Sequence, residues 1–313
     1  MQKTLLRRIV LALLLMLAAT ALTFALVAAA PGNVAALIAE RAAGAGADGE
    51  MIKRIAQDLG LNDPLPMRYL HWLGNALTGD LGVSLRTGKP IAQEFAERIP
   101  VTMALMAGGG VLVFFISLGF GIAGAVSNGG IIDRLLHGLA LIGASTPNFF
   151  VAAILVIIFS VMLGWVPTFG MAGWTSWFLP WVTIALFPAS VLSRVVRVNL
   201  QEAMSRPFAT TGFAKGLTRR QVLLREALPN IIVPFLTTFG AQFTLMMIGS
   251  IVVETVFALR GIGSFFIDAI RFRDFIGMQA VLMLFVVFFV SINLIVDVIA
   301  VFADPRLRRA RST

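Results

Sequence analysis

The sequence predicts an all-α integral membrane protein with six transmembrane helices and both termini in the cytoplasm. Three observations carry this expectation. Hydrophobic residues fill 58% of the 313 positions and charged residues 13%, with a mean hydropathy of +0.90, which leaves too little polar surface to cover a water-soluble globule. Six apolar runs approach or exceed the ~20 residues that a helix rising ~1.5 Å per residue needs to cross a ~30 Å hydrocarbon layer. Lys and Arg are asymmetric: 15 fall in the segments placed inside, while those placed outside hold 10 against 11 acidic residues, the bias that orients membrane proteins. The formal charge of +9 therefore reflects topology, since the basic residues sit in short loops beside apolar runs and make no continuous face for nucleic acid. The chain has no Cys, which excludes disulfides, thiolate metal sites and cysteine nucleophiles.

The first span, Ile9 to Ala30, follows Lys3, Arg7 and Arg8. Its apolar run is longer than the ~7–15 residues of a secretory signal, and Pro31 directly follows the small residues Ala28-Ala29-Ala30, so a retained anchor is expected. Residues 31–98 form the long outer segment. A formal GxGxxG, Gly44 to Gly49, has no strand before it and is rejected as a nucleotide site. Beyond it, helical patterns over Met51 to Leu59 and Met67 to Leu77 alternate with the turn signals Asn62-Asp63-Pro64 and Gly79-Asp80-Leu81-Gly82. A lid or docking surface and a plain cap tethering two spans are both open readings of this segment. Five more spans follow: Ile99 to Val126, Leu135 to Leu163, Trp177 to Ser193, Leu228 to Val253 and Ile276 to Val301. Asp297 is the one charge inside them and is expected to pair with Arg306 or Arg308 near the inner end.

Energy-coupling chemistry is missing. Gradient-driven transporters carry ionisable or coordinating groups at membrane depth, and these spans offer almost none. His71 and His137 stand without ligand-spaced partners. No GxSxG or HExxH occurs, and Gly88-Lys89 lacks the upstream glycine of a P-loop. Any uphill movement must draw its energy from another chain.

Between Ser193 and Leu228 lies a basic insert with seven basic residues against Glu202 and Glu226. Pro207 suits the first position of a helix and Gly216 its stop, bracketing about nine residues with the stripe Ala209, Phe213 and Leu217. Thr218 to Gln221 has capping-box spacing and starts a second helix ending near Leu228-Pro229. So short a first helix needs a surface to pack on. By spacing alone that surface is either a groove on a partner protein or the inner leaflet.

The spacing of Gly216, nine intervening residues and then Glu226-Ala227-Leu228-Pro229 resembles the EAA loop of ATP-binding-cassette importer permeases. Further stretches are similar to the dipeptide/oligopeptide/nickel group and its B-type subunit: Leu61-Asn62-Asp63-Pro64 with Gly79 to Ser84, Ser145-Thr146-Pro147-Asn148-Phe149-Phe150, Phe213-Ala214-Lys215-Gly216-Leu217, Val253 to Phe257 with Gly261-Ile262-Gly263, and Asp304-Pro305-Arg306-Leu307-Arg308. Where the general pattern has Glu-Ala-Ala, this chain has Thr210-Thr211-Gly212. The loop's position and Gly216 are therefore carried over, and a salt bridge to the ATPase is not.

The resemblance implies a type I importer transmembrane fold in the bacterial inner membrane. It divides into a cytoplasmic tail and first span (1–30), an extracytoplasmic segment (31–98) and a five-helix permease core (99–313) with its coupling loop at 194–227. It implies one half of a peptide pathway working by alternating access, beside a homologous second permease, two cytoplasmic ATPase subunits and an extracytoplasmic solute-binding protein. ATP and Mg would be used by the ATPases, with no catalytic, metal or cofactor site in this chain. Phe208, Thr210, Thr211, Gly212, Phe213, Ala214, Lys215, Gly216 and Leu217 would meet the ATPase. Asn148, Thr237, Thr238, Gln242 and Asn293, polar and uncharged at membrane depth, are candidates to line the path, with interhelical hydrogen bonding as their other reading. A self-sufficient secondary transporter or channel is the alternative class.

Overall fold

The computed structural model describes residues 2–29, 34–43, 48–58, 60–170 and 173–303. Among these, helices account for nearly all regular structure, with one isolated bridge between Val83 and Pro90. In chain order they are α1 (Gln2–Ala28), α2 (Val34–Ala43), α3 (Gly49–Asp58), α4 (Leu65–Leu77), α5 (Ile91–Ser127), α6 (Ile131–Ser145), α7 (Asn148–Leu155), α8 (Phe178–Ala203), α9 (Pro207–Ala214), α10 (Arg219–Val222), α11 (Leu228–Asn230), α12 (Ile232–Val256), α13 (Ile262–Arg271) and α14 (Phe275–Ala303). Five of them contain stretches long and apolar enough to cross a membrane, and α6 with α7 and its extension makes a sixth crossing if that bent pair counts as one.

Three boundaries differ from expectation. The third span is two helices bent by 109°. Pro147 has no N–H to continue the helix and pushes Thr146 out of the α region, to φ −93° and ψ 125°. The Thr146 hydroxyl donates to the Ile142 carbonyl at 2.7 Å, in the last turn of α6. The fourth span runs on past Ser193 to Ala203, so the first third of the basic insert is a continuation of α8. The second begins at Ile91, so Glu94, Glu97 and Arg98, assigned to the outer segment, form the first turns of α5. Helices α2 and α13 lie in outer segments for which the sequence patterns predict no particular helix. The Asp297 pairing and most of the Gly44 to Gly49 run fall outside the described side chains and residues.

Contacts divide the chain into two compact units. The first comprises Met1–Ile9, Val101–Ser264 and Ser291–Thr313. Its centre is α8, packed against α6, α7 and α12. Bare backbone brings α5 close to α8 and α12: a Cβ on Gly108 would lie 2.1 Å from Trp181, one on Gly109 2.4 Å from Ile184 and one on Gly110 2.8 Å from Phe243. Small residues bring membrane helices into contact in this way. Trp181 also donates its indole N–H to the Ala104 carbonyl at 3.0 Å, which fixes the ring over the glycine run. We expect Gly108→Val to abolish recovery of monodisperse protein in detergent, because the added side chain would overlap the Trp181 ring that Ala104 holds in place; Gly119→Val, with nothing within 4 Å of its Cβ, is the matched control and should express normally.

A buried carboxylate closes one end of this unit. Glu254, in the last turn of α12, is fully buried. It accepts the Thr102 hydroxyl at 2.7 Å and the Ser264 N–H at 2.9 Å, while Thr102 Oγ1 accepts the Ile262 N–H at 2.9 Å. A Cβ on Gly261 would lie 2.4 Å from the carboxylate. One side chain thus ties the ends of α5 and α12 to the first turn of α13.

The second unit comprises Val10–Pro100 and Phe265–Val290. Asp274 is its buried polar centre, accepting the Ser84 hydroxyl at 2.5 Å and the Gly277 N–H at 3.0 Å. Arg86 pairs with Asp268 at 3.3 Å and lies over the Phe272 ring. Arg98 bonds Glu94 at 2.7 Å and lies over Phe265. These bonds join the Gly82 to Pro90 turn and the start of α5 to α13 and the start of α14.

Candidate functional site

The basic insert folds as a mounted helix between α8 and α12. Arg206 adopts an extended conformation and Pro207 begins α9, its fixed φ preset for the first helical turn and its missing N–H costing nothing there. The helix ends at Ala214, two residues short of the Pro207 to Gly216 bracket. Gly216 has φ +82°. Its N–H donates to the Phe213 carbonyl at 2.9 Å and the Leu217 N–H to the Gly212 carbonyl at 3.2 Å, the paired bonds of a Schellman stop.

Thr218 then caps α10 reciprocally with Gln221. The helix does not run straight into the fifth span. Residues Leu223–Ala227 form a π-helical turn, which accommodates the missing N–H and bulky ring of Pro229. The Asn230 side-chain amide donates to the Glu226 carbonyl at 2.6 Å, and the chain bends at Ile231 before α12.

The face of α9 that packs differs from the expected stripe. Ala209 and Gly212 are buried, against Val222, Leu223 and Ala227 of the next segment, which are buried too. A Cβ on Gly212 would lie 3.0 Å from Val222 Cγ2, so the glycine lets the two segments meet. Phe213, the expected middle of the stripe, is 44% exposed, and Leu217 is half-buried. Thr210, Thr211, Ala214, Lys215 and Gly216 are exposed with it, and Phe208 is half-buried. The result is a short helix braced from behind with an apolar ring turned outward.

A buried ion pair steadies the base of α8. Asp133, in the first turn of α6, takes Arg197 Nε at 2.5 Å and the guanidinium terminus at 2.7 Å, and the Gly129 N–H at 2.7 Å. Its side chain is 3% exposed. Asp133 and Arg197 are 64 residues apart, and the Gly129-Gly130 turn beside Asp133 is the one sequence signal of its position. Removing Asp133 leaves the Arg197 guanidinium, 26% exposed, without its carboxylate, and breaking such a pair at one end costs more than removing both partners. Asp133→Ala should lower the melting midpoint of the purified protein more than the Asp133→Ala/Arg197→Met double variant does.

The five path candidates are not gathered into one polar site. The Thr237 and Thr238 hydroxyls donate to Val233 and Pro234 of their own helix, at 3.0 and 2.9 Å. Gln242, one turn on, is half-buried, and its Oε1 is enclosed without a hydrogen-bond partner among the described residues. Asn148 opens α7 directly after the Pro147 break, and a Cβ on Gly249 of α12 would lie 3.1 Å from its Nδ2. Gly249 is two turns beyond Gln242, so these two amides share a side of α12. Asn293 is on α14, exposed, one turn before Val296, which packs against Gly240.

Apolar spans, a broken third crossing and a braced helix between the fourth and fifth spans describe a polytopic membrane protein. Residues 116–309 match the family described as binding-protein-dependent transport system inner membrane component, and residues 1–106 its N-terminal membrane component. The chain belongs to this family and is the membrane permease subunit of an ABC importer of the bacterial inner membrane. It is 37% identical over 287 residues to the glutathione transport system permease protein GsiC of Escherichia coli, covering 92% of each chain. It is 36% identical over 311 residues to the probable peptide ABC transporter permease protein y4tP of Sinorhizobium fredii, covering 97% of this chain and 98% of the relative. The MetNI methionine ABC transporter in an inward facing conformation shares the fold, with a TM-score of 0.56 at 19% identity over 67% of this chain and 96% of that one. The importer reading therefore stands over the alternative of a self-sufficient transporter or channel.

Proposed function

We propose that this chain forms one half of a peptide translocation pathway and pairs with a homologous second permease, two cytoplasmic ATPase subunits and an extracytoplasmic solute-binding protein. The observation that carries the reading is the mounting of α9: a helix braced by Val222 and Leu223, stopped by Gly216 and offering Phe213 outward. Phe208, Thr210 to Leu217 and the exposed Lys215 are the contact with the ATPase. ATP and Mg act there, in the partner subunits. Closure of the ATPases pushes α9, and because α9 joins α8 to α12 the push reaches the central helix packing directly. Residues 1–30 anchor the chain, 31–98 serve the extracytoplasmic side, and 99–313 form the permease core.

A peptide cargo is supported by the names of the relatives, one a glutathione and one a peptide permease. Asn148, Thr237, Thr238, Gln242 and Asn293 contribute to the path. Uncharged amides and hydroxyls suit a ligand handed over by a binding protein, because tight binding inside the permease would slow release. The test is affinity purification of the chain from its native membrane, with ATP hydrolysis measured with and without the binding protein. Co-purification of an ABC ATPase whose activity rises with the binding protein and peptide supports the reading. Full transport by the chain without an ATPase overturns it.

A further inference from the structure

Helix α4 sits beside α1 at a depth that a soluble cap does not reach. The apolar stretch of α1 is Leu6–Ala28, so its middle residue is Leu17. The Tyr69 hydroxyl of α4 donates to the Leu17 carbonyl at 3.3 Å and lies 2.8 Å from the Thr20 hydroxyl. Phe24 packs edge-on against Tyr69, at 5.6 Å between centroids, and against Trp72 at 6.2 Å. A tyrosine side chain is much shorter than half of the ~30 Å hydrocarbon layer. With Leu17 near the midplane, the backbone of α4 lies within the layer's outer half and not above it.

The side-chain arrangement of α4 fits that depth. Each residue turns a helix by about 100°, so Arg68, His71 and Asn75 share a polar arc of about 60°. Leu70, Leu73 and Leu77 lie opposite, and Tyr69 and Trp72 point sideways to α1. Leu77 is 81% and Leu70 59% exposed, and Met67 is also exposed. An apolar face of this breadth with a narrow polar edge is the pattern of a helix lying in the plane of a bilayer.

We propose that α4 is embedded in the leaflet farther from the amino terminus, with Leu70, Leu73 and Leu77 seated among lipid acyl chains and Arg68, His71 and Asn75 turned to the headgroups. The occupant of the apolar face is lipid, because the Tyr69 to Leu17 bond sets the helix at hydrocarbon depth. The extracytoplasmic segment is then anchored laterally by α4 as well as by its two flanking spans.

The cysteine-free chain makes the test direct. Single variants Leu70→Cys, Leu77→Cys, His71→Cys and Asn75→Cys carry a bimane label, in the complex purified through this chain and placed in nanodiscs. Brominated phosphatidylcholine should quench the labels at 70 and 77 severalfold more than those at 71 and 75, and aqueous iodide should show the reverse order. Iodide quenching at 70 and 77 equal to that at 75, without quenching by brominated lipid, overturns the proposal. Protection of 70 and 77 that appears only on adding the solute-binding protein also overturns it, since the face would then be a protein contact.

Discussion

Replacing Glu254 by Ala is expected to prevent recovery of a folded permease, a loss as large as the one expected of Gly108→Val. The carboxylate is fully buried and accepts from Thr102 and Ser264, while Thr102 in turn accepts the Ile262 N–H. Deleting it strands a hydroxyl and a backbone N–H, each at ~1–3 kcal/mol, and leaves a hole the Gly261 backbone cannot fill. Against a total stability of about 5–15 kcal/mol this is a large fraction. The check is the yield of monodisperse protein and its melting midpoint in detergent. Glu254→Gln retains the shape and one acceptor and should give an intermediate loss. Gly261→Ala, which forces a methyl to 2.4 Å from the carboxylate, should reproduce most of the Ala phenotype from the other side. Wild-type stability in both Glu254→Ala and Gly261→Ala would contradict the role assigned to this carboxylate.

Replacing Gly216 by Val is expected to separate ATP hydrolysis from transport while leaving membrane insertion intact. Gly216 holds φ +82° with nothing within 4 Å of a Cβ, so the cost of the substitution is backbone strain alone, about 1–3 kcal/mol. That strain falls on the two bonds ending α9, from Gly216 to Phe213 and from Leu217 to Gly212. The helix would fray or extend, and Phe213 and Lys215 would lose their fixed direction. In reconstituted complex, transport should fall severalfold while basal ATP hydrolysis persists and loses its response to the binding protein. Gly216→Asn is the discriminating control. Asn adopts the left-handed region far more readily than Val, so it should retain coupling. Equal loss in both variants would mean that bulk at 216, and not its backbone conformation, decides the contact.

Much of the architecture was legible in the residues. Apolar length set the number of crossings, Lys and Arg set their orientation, and the Pro207, Gly216 and Thr218 signals located a short helix and its cap within two residues. These are local properties, decided by one stretch of chain and its solvent. The break at Pro147 was written in the residues too, at Ser145-Thr146-Pro147-Asn148, but apolar length alone joined the two helices into one span.

Packing faces were harder to read. For α9, apolar periodicity selected Phe213 for the inner stripe, whereas the packed position belongs to Gly212, because contact distance to Val222 favours the absence of a side chain over a large one. Glu254, Asp133 and Asp274 read as ordinary loop charges, since what makes each one buried lies far away in sequence: Thr102 for the first, Arg197 for the second, Ser84 for the third. The amide of Gln242 and that of Asn148 share a side of α12 for the same reason, through a contact with Gly249 that no spacing rule encodes.

By itself, then, the sequence determined that this chain crosses a membrane several times, which way it faces, and that its cytoplasmic insert contains a capped helix. Hydrophobicity, charge and cap chemistry act over a few residues and need no knowledge of the rest. Tertiary structure alone decided which carboxylates are buried, which face of α9 is exposed, and which residues of α4 meet α1. Those outcomes depend on pairs of residues far apart in the chain, and the partner's place in space settles them.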